Sequence, residues 1–76
     1  MSNRDVIYQI IHKLLEEQGR QDIGITDESF IQDEDLGFDS LTVAEFSANL
    51  EQQFGRDPYT QGQYPARVRD LLDFYA

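Results

Sequence analysis

The chain contains no cysteine. That excludes a disulfide framework, a thiolate zinc cage and a thiol nucleophile of its own, so any thiol chemistry has to be borrowed. Nor is there a long apolar run: no stretch approaches the roughly 20 apolar residues that span a bilayer. The N-terminus "MSNRDVIYQII" also lacks a basic stretch leading into an apolar segment. These absences predict a cytoplasmic protein without membrane contact. No alternating strand pattern or hairpin signal occurs either. At 76 residues a single domain is expected over 1–76, with little room for a deep polar cleft, so a small enzyme is disfavoured.

A further absence is local. No Lys or Arg lies between Arg20 and Arg56, an interval that holds Asp22, Asp27, Glu28, Asp33, Glu34, Asp35, Asp39, Glu45 and Glu51. Outside it, Asp5, Glu16, Glu17, Asp57, Asp70 and Asp73 are matched by Arg4, Lys13, Arg20, Arg56, Arg67 and Arg69. The whole formal net charge of -9 therefore sits in the middle of the chain, where it reads as unopposed. Such a field repels nucleic acid and anionic membranes and steers basic protein surfaces inward.

What is present is helical periodicity. In "SNRDVIYQIIHKLLEEQG", Val6, Ile7, Ile10, Ile11, Leu14 and Leu15 share one face, Ser2 with Asp5 suits a capping box, and Gly19 suits the stop. Residues 20–38 lose the period, and Ile23, Ile25, Phe30, Ile31 and Leu36 are expected to pin a long polar loop to the core, closed by a turn at Gly37. From Ser40 the period returns, with Val43, Phe46, Leu50 and Phe54 on a buried stripe and Gly55 ending the helix. "RDPYTQGQYPA" leaves room for one short helical turn, with Tyr59 and Tyr64 as anchors. Val68, Leu71, Leu72 and Tyr75 then make a last helix, with Pro65 compatible with its start. The expected fold is all-α: a small bundle of three main helices plus a short third element, with a long first loop.

The candidate chemistry centres on "LGFDSLTVAEF", where Ser40 stands at a helix start. A triad of Ser40, Asp39 and the lone His12 is poorly supported, because no glycine-flanked elbow surrounds the serine. An EF-hand fails in both registers: counted from Asp33, Phe38 falls where the loop needs glycine and Ala44 where it needs glutamate; counted from Asp35, Ser40 takes the glycine position. No specific metal site is indicated. Two roles stay open for Ser40, as helix cap and as a point of attachment. Leu41, Glu45, Ala48 and Gln52 recur on a different side of the helix from the apolar stripe, which makes them a docking face for a basic, apolar groove.

"DLGFDSLTVAEFSANLEQQFG" resembles the second helix of the acyl carrier and peptidyl carrier proteins, whose hallmark is Leu-Gly-x-Asp-Ser-Leu. The likeness runs along the chain, in the first-helix stripe, the Ser29-Phe30 pair and the final helix. The resemblance implies that the protein is no catalyst: Ser40 receives 4'-phosphopantetheine from coenzyme A through a phosphopantetheinyl transferase, and the thiol of that arm holds acyl groups as thioesters. It further implies that Asp39 and Leu41 help present Ser40, and that Leu41, Glu45, Ala48, Glu51 and Gln52 meet partner enzymes, among them acyl-activating, acyl-transfer and condensing enzymes. Thr42 departs from the acid common after the Ser-Leu pair in fatty-acid carriers, Phe38 stands where a small residue is frequent, and "DPYTQGQYPARV" lacks an acidic third helix. The resulting expectation is a discrete, monomeric acyl carrier for fatty-acid, polyketide or related lipid synthesis. The alternatives are an aminoacyl or peptidyl carrier, or a cofactor-free acidic adaptor that binds basic helices.

Overall fold

In the computed structural model, which describes residues 2–76, α1 spans Asn3–Glu17, α2 Ser40–Phe54 and α3 Val68–Phe74, with a single 3-10 turn at Tyr59–Gln61. No strand occurs among the described residues; the sole extended pairing is an antiparallel bridge between Phe30 and Arg67. The chain is thus the expected all-α fold, and its short third element is the 3-10 turn.

Helix α1 begins where Ser2, in extended conformation, accepts a hydrogen bond from the Asp5 amide at 3.2 Å. It ends as Gly19 turns left-handed at φ 70 and the Arg20 amide folds back onto the Leu15 carbonyl at 2.8 Å. Ile7, Ile10, Ile11, Leu14 and Leu15 are buried on one face, each worth about 1.5–3 kcal/mol removed from water. In α2 the buried positions are Thr42, Phe46 and Leu50, while Val43 and Phe54 lie half-buried at the stripe's edge. The stripe is therefore rotated from the expected one: Thr42 takes the inward position, where Gln18 at the C-cap of α1 donates to its hydroxyl.

The long loop is held from both sides. Ile31 and Leu36 enter the core, and Ile23 and Ile25 pack against its edge. Phe30 does not, contrary to expectation. In the extended bridge to Arg67, neighbouring side chains point to opposite faces, so burying Ile31 turns Phe30 outward, beneath the Arg67 guanidinium at 4.1 Å. Phe38 fills the core instead, edge-on to Phe46 with ring centroids 5.7 Å apart. Backbone hydrogen bonds from Ile31 to Ala66 (2.9 Å), Val68 to Ser29 (3.0 Å) and Arg69 to Asp27 (2.8 Å) fasten the loop to the start of α3.

Asp57 and Pro58 are buried in the connector. Burial would push the Asp57 carboxyl up, yet hydrogen bonds from Ser47 Oγ (2.8 Å), the Thr60 amide (3.1 Å) and Thr60 Oγ1 (3.0 Å) together hold it below the usual range. Tyr59 packs edge-on to Phe46, whereas Tyr64, 74% exposed, stays outside the core and reaches it only through the Tyr59 ring, with centroids 6.2 Å apart. Pro65 lies ahead of α3, whose N-cap is Arg67. At the far end Tyr75 joins all three helices: its ring stacks on Phe54 at 4.1 Å, its hydroxyl donates to the Arg56 carbonyl at 2.8 Å, and its carbonyl accepts from Asn3 Nδ2 at 2.8 Å.

Candidate functional site

The segment 36–42 presents its side chains in a fixed order. Leu36 is buried, Gly37 turns left-handed at φ 62, and Phe38 is buried again. Glycine is needed here: another residue would strain the backbone, and its Cβ would stand 3.3 Å from Arg20 Nη2. With Phe38 locked in the core, Asp39 adopts the extended geometry of an N-cap, φ -82 and ψ 179, and its Oδ1 accepts from the Thr42 amide at 2.8 Å.

The cap is therefore Asp39 and not Ser40, which is the first helical residue. A carboxylate serves this position as well as a hydroxyl and also places negative charge at the positive end of the helix dipole. The Thr42 amide, and after it the Thr42 hydroxyl, holds the Asp39 carboxyl below the usual range. With the capping done by its neighbour, Ser40 is left exposed at the mouth of α2.

The other serines are engaged. Ser2 caps α1, buried Ser29 accepts from the Thr26 amide at 2.9 Å, and Ser47 donates to Asp57 at 2.8 Å. No hydrogen bond to the Ser40 hydroxyl exists among the described residues. Thr26, Thr42 and Thr60 likewise make side-chain hydrogen bonds. Among the serines and threonines of the described residues, Ser40 is the one whose hydroxyl makes no hydrogen bond and stands open to an outside partner.

Among the described residues, His12 makes no hydrogen bond to Asp39 or Ser40. His12 is exposed on α1, beside a shallow depression lined by Gln9, Lys13, Glu16 and Glu17, and neither Asp39 nor Ser40 borders that depression. No group of three or more potential metal-binding side chains occurs among the described residues. No helix among them is long and apolar enough to cross a membrane.

Leu41 is 70% exposed, and Glu45, Ala48, Glu51 and Gln52 are exposed beside it along α2. The acidic segment is less uniform than its sequence suggests. Asp27 pairs with Arg4, and Glu28 is bridged by Arg67 at 3.1 Å and Arg69 at 2.9 Å, so these two acids are opposed by charges from the chain's ends. Asp33, Glu34, Asp35, Glu45 and Glu51 have no ion pair among the described residues. Apart from Asp27 and Glu28, the acids between Arg20 and Arg56 thus keep their charge without an ion pair among the described residues, on the loop before α2 and on α2 itself.

Sequence reasoning passed over two residues that border the site. Thr42 is buried, and Gln18 Nε2 donates to its Oγ1 at 2.8 Å. The partners lie 24 residues apart, so no local motif marks the pair. The only hint was a threonine where an acid is common.

Residues 5–58, more than half of the chain, match the family described as "Phosphopantetheine attachment site". No curated protein and no solved structure matches the chain.

Proposed function

Since the chain belongs to the phosphopantetheine attachment family, we propose that Ser40 is the residue that bears the 4'-phosphopantetheine arm and that the protein is a carrier of acyl groups. The observation that carries this reading is selective exposure: of the four serines, Ser40 alone is exposed with no hydrogen bond to its hydroxyl among the described residues. The family's cofactor is covalent 4'-phosphopantetheine, and the site suits it. A phosphodiester on Ser40 would sit at the positive end of the α2 dipole, where anions are favoured, and nothing in the fold covers the hydroxyl.

When attached, the arm supplies the thiol that a chain without cysteine lacks. The protein's own part is presentation. Phe38 and Thr42 are anchored in the core on either side of Ser40, Asp39 fixes where the helix begins, and Leu41 projects beside the hydroxyl. In this reading the chain is a shuttle without catalysis of its own. Exposed Leu41 and Ala48, flanked by Gln52 and by the acids Glu45 and Glu51, form a small apolar patch in a polar, negative surround, suited to brief contact with basic, grooved enzymes. A phosphopantetheinyl transferase and acyl-handling enzymes are the partners that carrier domains of this family meet. The strength of the acidic field favours acyl over aminoacyl cargo.

The test is intact mass after incubation with coenzyme A, magnesium and a broad-specificity phosphopantetheinyl transferase. The expected result is a gain of one phosphopantetheinyl group in the wild type and none in Ser40→Ala. No gain in the wild type would favour the cofactor-free adaptor, and a gain that persists in Ser40→Ala would move the attachment elsewhere.

A further inference from the structure

A chain of hydrogen bonds runs beneath the turn that presents Ser40. The Arg20 guanidinium donates through Nη2 to the Leu36 carbonyl and through Nη1 to Gln18 Oε1 at 2.9 Å. Gln18 Nε2 donates to Thr42 Oγ1 at 2.8 Å, and the Thr42 amide donates to Asp39 Oδ1 at 2.8 Å. The turn that follows α1 thus grips the chain on both sides of Ser40, at Leu36 before it and at Thr42 after it. Two further features fit this arrangement. Gly37 leaves room for the guanidinium, since a Cβ there would lie 3.3 Å from Nη2. Thr42 is 5% exposed, so a carboxylate at that position would be buried, whereas a hydroxyl can take the Gln18 amide at little cost.

We infer that Gln18 and Arg20 are positioning residues for the modification of Ser40, acting through Thr42 and Asp39 to fix the direction in which the serine hydroxyl leaves the helix. The inference rests on Ser40 being the attachment residue. Neither side chain needs to touch the transferase or its substrate. Their contribution is that the hydroxyl is already oriented when the enzyme docks, so little orientational freedom is lost in the complex.

A displacement of ~1 Å at a reacting group costs up to about a hundredfold in rate. Loss of one member of this chain, with the rest of the turn intact, is expected to cost about tenfold in the transferase kcat. The docking face on α2 is untouched, so the KM for the carrier should stay within about twofold.

The experiment measures phosphopantetheinyl transfer against carrier concentration for the wild type, Gln18→Ala, Arg20→Ala, Thr42→Val, Thr42→Ser and the double variant Gln18→Ala/Thr42→Val. The expected pattern is a kcat loss of about tenfold in each of the first three substitutions. Near wild-type kcat is expected in Thr42→Ser, which keeps the hydroxyl, and no further loss in the double variant, because both members belong to one chain. Unchanged kcat in Gln18→Ala, or losses that multiply in the double variant, would overturn the inference. Should Gln18→Ala fail to fold, the contrast of Thr42→Val with Thr42→Ser decides: equal kcat in the two refutes the chain. Failure of the underlying reading looks different, since the wild type itself would then take up no arm.

Discussion

The two faces of α2 differ in what they meet: one packs into the fold and the other faces solvent. Inward, Thr42, Phe46 and Leu50 are buried against α1 and the loop, and Phe46 meets both Phe38 and Tyr59 edge-on. Outward, Leu41, Glu45, Ala48, Glu51 and Gln52 are exposed. Burying a leucine would contribute about 1.5–3 kcal/mol, and Leu41 contributes little of that where it stands. In the proposed reading, its exposure serves contact with a partner enzyme. The same division runs through the charges: Asp27 and Glu28 are spent on ion pairs that hold the loop to α1 and α3, whereas Glu45 and Glu51 are left to the solvent.

The largest effect should come from the inward face. Phe46→Ala removes a fully buried ring and is expected to cost about 3–5 kcal/mol in urea unfolding. A loss under about 1 kcal/mol would show that the core is not built around this side chain. Next is the turn that decides which face goes inward. Gly37→Ala places a side chain at φ 62, for a cost of about 1–2 kcal/mol, and crowding of Arg20 should also slow modification of Ser40.

Acid should act through the capping and paired carboxylates. Asp27 is held below the usual range by Arg4 and then Tyr8, Asp39 by Thr42, and Asp57 by Ser47 and Thr60 against its burial. Groups whose folded pKa is depressed add stability that is fully present above the unfolded value near ~3.9 and is lost as pH falls through the folded values. Thermal midpoints should therefore hold steady from neutral pH down to about 5 and decline below about 4. Asp27→Asn should flatten that decline, and an unchanged profile in that variant would remove Asp27 from the account.

The smallest effect on stability belongs to the outward face. Leu41→Ala and Glu45→Lys should each stay within about 0.5 kcal/mol of the wild type. Both should weaken the encounter with partner enzymes, Glu45→Lys chiefly through a slower, less salt-dependent association rate. If Leu41→Ala unfolds the protein while leaving partner kinetics unchanged, the division between the faces is wrong.

Much of this was legible in the residues. The face of α1, the helical class, the long loop and the exposed side of α2 follow from periodicity, because helix spacing sorts side chains before any tertiary contact forms. Two of the departures trace to a partner distant in the chain. Phe30 looked like core but turns out beneath Arg67, and Phe38 took the core position. Thr42 lay outside the expected stripe, yet it is buried with its hydroxyl accepting from Gln18, while Val43 sits at the edge. Tyr64 looked like an anchor in the core, yet it is exposed and touches only the edge of the cluster through Tyr59. At the site, Ser40 and its outward neighbours stood out in the sequence, while the assignment of the cap to Asp39 required the backbone angles.

The most direct test is to locate the arm itself. After treatment with coenzyme A and a phosphopantetheinyl transferase, tryptic cleavage after Arg20 and Arg56 yields a peptide covering 21–56 that contains Ser29, Ser40 and Ser47. Tandem fragmentation of that peptide should place the whole added mass on Ser40, the exposed and unbonded hydroxyl. Finding it on Ser29 or Ser47, or finding none at all, would contradict the view that this fold exists to present Ser40.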